Sequence, residues 1–325
     1  CSSWLSEDDA PVMSYDYYET EAGVNAAITA AYGFLRWGVG GERFDVLTEL
    51  GTDLFTEGED GNNRESYNKY ATQLNPDDGI LYEMWQNHYK GISDANIAMQ
   101  KILDSQDLLE NVKAQSYAEM QFIRAYLYFD LVQQFGRIPL VTEGSFDIRT
   151  SFKRAPVADI YSLIISDLRN AVENLPEKVA TKGRATCYSA AHLLSKVYLT
   201  RGSAVSDPRG QKATDIDSTL YYAEKVINSG AFALQENFSS LWDISNQGNS
   251  EVVFAVQFTT EPMFNGDGNR QHLYWLSWYE DQPGMLRDIA NGRPYRRHVA
   301  TKKTMDDLYD RLHDSRFYKS FKWVY

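Results

Sequence analysis

The sequence predicts a mostly helical fold: an irregular helical scaffold followed by a loop-rich part with minor β structure. Three observations carry that prediction. Residues 114–141 read AQSYAEMQFIRAYLYFDLVQQFGRIPLV, in which Ala118, Phe122, Ala125, Tyr126, Phe129, Val132 and Phe135 recur at steps of three and four. That spacing places them on one helical face. Tyr89, Tyr126, Tyr161 and Tyr198 then recur 37, 35 and 37 residues apart, the mark of a repeated helical unit. Beyond Gly230 the periodicity gives way to short apolar runs broken by glycine and proline.

Taken in order, residues 19–37 read as a helix with a small-residue face (Ala22, Ala26, Ala30, Ala31, Phe34), ended by glycines 38–41. Residues 44–54 read as a short helix or an extended segment. Polar residues 57–63 open an irregular insert that runs to about Ile80 and carries Tyr67 and Tyr70. Loops of that length usually carry function. In the helix expected over 82–103, Trp85, Tyr89, Ile92, Asn96, Met99 and Leu103 share a face. The 114–135 helix stops at Gly136, with Pro139 beyond it and Arg124 on the flank of its apolar face. Small Ala118 and Ala125 let a neighbouring helix approach closely. Helices follow over 157–175, 186–200 and 219–227. Superposing Arg124-Ala125-Tyr126-Leu127 on Lys196-Val197-Tyr198-Leu199 also matches Ala118 with Ala190 and Phe122 with Leu194. Tetratricopeptide units repeat at about 34 residues. These helices therefore read as a degenerate, irregular stack of that type. Residues 251–258, EVVFAVQF, read as a strand, and 261–294 as irregular.

The chain of 325 residues contains no run of 18 apolar residues, so no membrane-spanning helix is predicted. A net charge of −13 argues against nucleic-acid binding. No nucleophile elbow, phosphate loop, dinucleotide fingerprint or H-E-x-x-H occurs, and the five histidines are scattered. No acidic pair is singled out for glycosidic work among 45 Asp and Glu. The sequence thus points to binding and away from catalysis. Glu57, Glu59, Asp60 and residues 265–269 (NGDGN) offer hard oxygens that calcium could use, without the spacing of an EF-hand. A solvated loop is the preferred reading, and no cofactor is expected. Cys187 reads as a small buried residue.

The sharpest binding signal is Tyr274-Trp275-x-x-Trp278-Tyr279. Four large rings in an irregular segment are not expected to share one interior, and exposed rings mark a binding surface. Sugars offer flat C–H faces that stack on Trp and Tyr. Alternatively, two of these rings plug a packing interface.

The order A-E-x-x-F-x-R-A-Y-x-Y-F-x-L-V-x-x-F-G-x-I-P-L-V over 118–141 resembles the most recognisable segment of the SusD/RagB family. So do W-x-x-x-Y-x-x-I-x-x-A-N from Trp85, F-x-x-L-W-D from Phe238, EVVFAVQF, and the pair DDLYD at 306–310 and DSRF at 314–317. That family comprises surface lipoproteins that deliver nutrients to TonB-dependent outer-membrane transporters. The resemblance implies a tether over 1–18, acylated at Cys1, and a single domain over 19–325. Within it, the helical scaffold runs to about 230 and the loop-rich, ligand-facing part spans 231–325. It implies a cell-surface location through the lipid anchor, a SusC-like transporter as partner and an oligosaccharide as ligand. It also implies a chain that continues beyond Tyr325. Because the resemblance places ligands on the face built by inserts and late loops, Asp53, Tyr67 and Tyr70 form the expected second wall opposite Tyr274, Trp275, Trp278 and Tyr279. A peptide-binding relative and a tetratricopeptide-like interaction scaffold are the alternatives.

Overall fold

The computed structural model describes residues 20–58, 64–71, 74–144, 150–204, 208–259, 261 and 268–321. Cys1 and the tether, Glu59, Asp60 and most of the 265–269 run lie outside them. The fold is mostly helical, and among the described residues strand pairing in named strands is limited to two three-residue segments. The chain divides into two compact units, one of Cys1–Phe34 and His88–Asn228, the other of Leu35–Asn87 and Ser229–Tyr325.

The first unit is the helical stack. It holds α1 (Glu21–Gly33), most of α5 (Gly79–Asp104), α6 (Glu110–Phe135), α7 (Val157–Asn174), α8 (Cys187–Gly202) and α9 (Asp215–Ile227). Helices α6 to α9 each pack on the next, as successive members of a repeat do. Tyr161 and Tyr198 are buried, whereas Tyr89 and Tyr126 are half-buried on their own helices. Ala118, Ala190, Phe122 and Leu194, the pairs that superpose in sequence, all lie in the core.

Helix α6 is more deeply buried than its periodicity suggests. Met120, Ile123, Leu127, Tyr128 and Leu131 are fully covered along with Ala118, Phe122, Ala125, Phe129 and Val132 of the predicted face, while Tyr126 and Phe135 are half-buried. Arg124, expected on the flank, is 4% exposed. Its guanidinium donates to both oxygens of Asp167 on α7 at 2.8 Å and to Asn96 Oδ1 on α5 at 2.7 Å. A charge so covered persists only when paired and fully hydrogen-bonded. Tyr128 closes the same layer, its hydroxyl donating to the Val141 carbonyl at 2.9 Å. Gly136, at φ 66°, caps the helix as predicted. On α5 the buried face runs through Ile92, Ala95, Met99 and Ile102, while Leu103 is exposed. A Cβ at Gly91 would stand 2.6 Å from Leu127 Cδ1 and 3.0 Å from Phe34 Cγ, so a larger residue there has to push those side chains aside.

Three element predictions are corrected. The helix expected over 19–37 ends at Gly33, and α2 (Arg36–Gly40) and α3 (Glu42–Thr48) follow, the latter taking up part of 44–54. The insert contains a short helix, α4 (Glu65–Lys69). The 251–258 run forms no ladder. An apolar β-branched run becomes a strand only if an edge pairs with it. Here Arg36 holds its end instead, donating to the Gln257 carbonyl at 3.0 Å with its guanidinium over the Phe258 ring.

The second unit also contains α10 (Phe238–Leu241), α11 (Gln271–Tyr274) and α12 (Arg316–Ser320). Its sheet is β1 (Phe55–Glu57) antiparallel to β2 (His298–Ala300), with Phe55 opposite Ala300 and Glu57 opposite His298. Beside it, Val46, Leu50, Tyr67 and Ile80 form a core cluster.

Candidate functional site

All seven expected ligand residues fall in the second unit, and the structure sorts them by what holds each one. The β1–β2 ladder sets the frame. It continues at both ends, with Gly58 N donating to the Arg297 carbonyl at 2.8 Å and Thr301 N to the Leu54 carbonyl at 2.9 Å. A Cβ at Gly58 would overlap the Arg296 carbonyl oxygen, so only glycine allows that approach.

Asn68 on α4 locks the loop that precedes β1. Its Oδ1 accepts from Gly51 N at 3.2 Å, Thr56 Oγ1 at 3.0 Å and Glu57 N at 3.1 Å. The Thr301 hydroxyl donates to the Asp53 carbonyl, which fixes the backbone while the Asp53 side chain faces solvent. Helix α4 ends at Lys69, and Tyr70 turns left-handed at φ 51°, ψ 43°. Tyr70 is therefore thrown outward, 70% exposed, with its hydroxyl 3.4 Å from the Gly51 carbonyl. Beyond the loop, Phe55 meets Trp275 edge to face at 4.8 Å between centroids. Trp275 stays half-buried, its indole N–H donating to Gln271 Oε1 at 3.0 Å. Tyr70, the Asp53 loop, Phe55 and Trp275 thus form one continuous rim.

The other rings are spent on packing. Tyr67 is 6% exposed, sits in the core cluster and donates its hydroxyl to Asp78. Tyr274, 8% exposed, lies against Tyr295 with the Arg297 guanidinium 5.5 Å from its centroid. Tyr279 is 2% exposed and donates to the Gly292 carbonyl at 2.7 Å. Trp278 is half-buried. Of the 274–279 cluster two rings thus lie inside and two are partly exposed, so the stacking expectation rests on Trp275 and Trp278. Tyr67 likewise presents no face to solvent.

Beneath the rim lies a polar layer that the sequence did not reveal. Glu42, 5% exposed, pairs with Arg297 and, at 3.4 Å, with Arg64. His298 is fully buried, its ring 5.0 Å from that of Trp275, and neither of its nitrogens has a hydrogen-bond partner. Asp45 Oδ2, also unpartnered, is 3.8 Å from His298 Nε2. Burial pushes the Asp45 carboxyl up to about 6, aided by nearby Glu49 and Glu42 and opposed by hydrogen bonds from Gln271 and Trp275. Burial, then the charges of Arg297 and Arg64, push the His298 imidazole down to about 4.

Sequence reasoning missed Phe55 and Trp242. Phe55 sits in a three-residue strand whose partner is far away in sequence, so no local pattern announces it. Trp242, 71% exposed with Phe238 at its edge, is distinguishable from a core tryptophan only through the fold. Among the described residues, no three His, Cys, Asp or Glu side chains converge as a metal ion requires. What the rim offers is ring faces for stacking with a carboxylate and backbone polar groups beside them, the chemistry of a recognition surface.

Known proteins match this chain in both sequence and fold. A family model of SusD-like proteins, described as starch-binding and associating with the outer membrane, matches residues 12–199, more than half of the chain. A SusD-like protein of Formosa agariphila is 27% identical over 94% of this chain and 62% of its own length. The solved structure of a laminarin-binding SusD-like protein is 28% identical, with a TM-score of 0.62 over 72% of this chain and 50% of that one. A structure solved with xylogluco-oligosaccharide superposes with a TM-score of 0.67 at 21% identity, over 87% of this chain and 54% of that one. This chain therefore spans between half and two thirds of each of these proteins. With the 118–141 signature buried at the heart of the helical stack and the family model covering more than half of the sequence, the chain belongs to the SusD-like family.

Proposed function

We propose that this chain is a cell-surface binding protein that captures oligosaccharides at the Tyr70–Trp275 rim and passes them to a TonB-dependent outer-membrane transporter. The observation that carries the reading is Tyr70, a large ring held outward by an otherwise unfavourable backbone conformation and joined through the Asp53 loop to Phe55 and Trp275. The laminarin-binding relative supports a glycan as the ligand class, and the family's description supports an outer-membrane setting. Among the described residues no helix is long and apolar enough to cross a membrane, and acylation at Cys1 would supply the anchor.

The direct test is calorimetry of the purified chain against β-1,3-gluco-oligosaccharides, xylogluco-oligosaccharides and unrelated peptides. Saturable binding of one glycan class, weakened about 30-fold by Tyr70→Ala, is the expected result. Binding of peptides in place of any glycan would overturn the ligand class. Glycan binding indifferent to Tyr70→Ala would remove the rim from the site. Transport is tested by co-purifying the chain with its transporter from native outer membranes, and mass spectrometry of the N-terminal peptide should show lipid on Cys1.

A further inference from the structure

The polar layer beneath Trp275 leaves buried atoms unsatisfied on two facing side chains. His298 on β2 is fully buried and neither of its ring nitrogens has a hydrogen-bond partner, and Oδ2 of Asp45 on α3 is buried and unpartnered too. Nε2 and Oδ2 stand 3.8 Å apart, about 1 Å beyond a hydrogen bond. Buried polar atoms left unsatisfied cost stability, and here two of them face each other. No bond at Nδ1 fixes the imidazole tautomer, so Nε2 is free to accept. A proton on Oδ2 would turn the gap into a donor facing an acceptor and satisfy both atoms at once.

The same carboxyl also faces the rim. The Trp275 indole N–H donates to Gln271 Oε1 at 3.0 Å, and the Trp275 and Gln271 side chains both act as donors toward Asp45 that favour its ionised form. Gln271 is anchored in turn, its amide donating to the Gly41 carbonyl at 3.1 Å. The His298 ring lies 5.0 Å from that of Trp275, and its strand pairs Ala300 with Phe55, whose ring also meets Trp275. The surrounding charges decide where a proton goes. Glu42 and Glu49, on α3 itself, favour one on Asp45, while Arg297, next to His298 in the chain, and Arg64 at the head of α4 oppose one on His298. Glu42 is paired with both arginines, and the Tyr274 ring closes the layer 6.2 Å from His298. The arrangement thus offers the Asp45 carboxyl two alternatives, as an ionised acceptor for Gln271 and Trp275 or as a neutral donor to His298.

We propose that Asp45 is a positioning residue for Trp275, and that Asp45 and His298 together tie the rim's affinity to pH. With Asp45 ionised, the carboxylate and Gln271 hold the indole in place for a sugar ring. A proton taken from solution onto Oδ2 turns the carboxyl toward His298 Nε2, draws the pair together and withdraws its acceptor from the indole. Glycan binding then favours the ionised form, so it releases a proton near the carboxyl's titration, and affinity is highest above that point and falls as pH drops through it. Burial places that point at about 6. The effect on affinity rests on the rim being the glycan site, whereas the movement of the indole is a property of the free chain.

The test begins with nitrogen–proton NMR of the whole chain without ligand, between about pH 4.5 and 8. The indole N–H signal of Trp275, identified by its loss in Trp275→Phe, should shift with a midpoint at about 6, and Asp45→Asn should hold it at one position throughout. The His298 Nε2 signal should shift at the same midpoint without itself taking a proton. Calorimetry with β-1,3-gluco-oligosaccharide or xylogluco-oligosaccharide then reads the linkage. Affinity should fall about threefold to tenfold between about pH 7.5 and 5, and by less than about twofold in Asp45→Asn. An indole signal flat across that range, one that titrates equally in Asp45→Asn, or protonation of the imidazole at that midpoint would overturn the proposal whether or not a glycan binds. A Tyr70-dependent glycan affinity unchanged between those two pH values would overturn it too, and would leave the rim itself standing.

Discussion

An L-tyrosine held at φ 51°, ψ 43° is about 1 kcal/mol less favourable there than glycine, so Tyr70 occupies its position at a cost to folding. Tyr70→Gly should raise stability by up to about 1 kcal/mol in urea denaturation while lowering oligosaccharide affinity about 30-fold. A fall in stability would mean that the ring packs, and unchanged affinity that it does not bind. The sequence singled out Tyr67 and Tyr70 together but could not separate them. Three residues apart, they would share a face if α4 continued, yet the helix ends between them, sending one into the core and the other to solvent. The same reasoning divides Tyr274 from Trp275, since α11 ends at Tyr274. Asp45 and His298 make a second residue-scale prediction. Asp45 is raised from 3.8 to about 6, so its contribution is present below pH 4 and lost as pH rises through 6. His298 is lowered from 6.5 to about 4, so its contribution is present above pH 6.5 and lost as pH falls through 4. Between pH 4 and 6 the two slopes have opposite sign and offset, because folding in effect moves one proton from imidazolium to carboxylate. Removing one partner uncovers the other. Asp45→Asn should make stability rise with pH over that interval by about 1.4 kcal/mol per unit, and His298→Gln should make it fall. Denaturation at pH 4, 5 and 6 checks both, and parallel curves for the two variants would rule the pair out.

At the scale of elements, the helices were legible because each carries its own 3.6-residue period and its own stop. Gly136 ends α6, and Thr186 opens α8 with a capping box completed by Ser189. What periodicity could not show was which polar residues lie inside. Arg124 looked like a flank residue because charge is read as exposure, yet its partner Asp167 comes from the next helix and is itself 2% exposed. Arg124→Met should therefore destabilise by about 3–5 kcal/mol, since it strands Asp167 without a counter-charge. Adding Asp167→Leu should restore most of that loss, and equal losses in the single and double variants would show that the salt bridge is not the source. The 251–258 run failed for the complementary reason. A strand is a property of two segments, and this one meets the Arg36 side chain where a ladder would be. The true strands are three residues long and carry no pattern by themselves.

At the scale of the whole chain, Leu35–Asn87 belongs with Ser229–Tyr325, a grouping that no local reading along the sequence could supply. It arises from bonds between distant segments, such as Thr304 Oγ1 donating to the Leu54 carbonyl across 250 residues at 2.6 Å. The entropy of closing so long a loop is met only when many such contacts form together, which is why the rim exists only in the finished unit. That locality can be measured. A ligand that binds only the folded state adds about 2.7 kcal/mol at a hundredfold excess over its dissociation constant, and it suppresses opening first where it binds. With a neutral oligosaccharide bound, amide exchange should slow in peptides covering 51–58, 64–71, 271–279 and 295–301, and stay unchanged across 157–174 and 187–202. Tyr70→Gly should cut that protection at the same ligand concentration from about 2.7 to about 0.9 kcal/mol, because a 30-fold weaker complex leaves the ligand at only about threefold its dissociation constant. A neutral glycan that instead protected α7 and α8 would move the glycan site to the helical stack and leave Tyr70 without a role in binding.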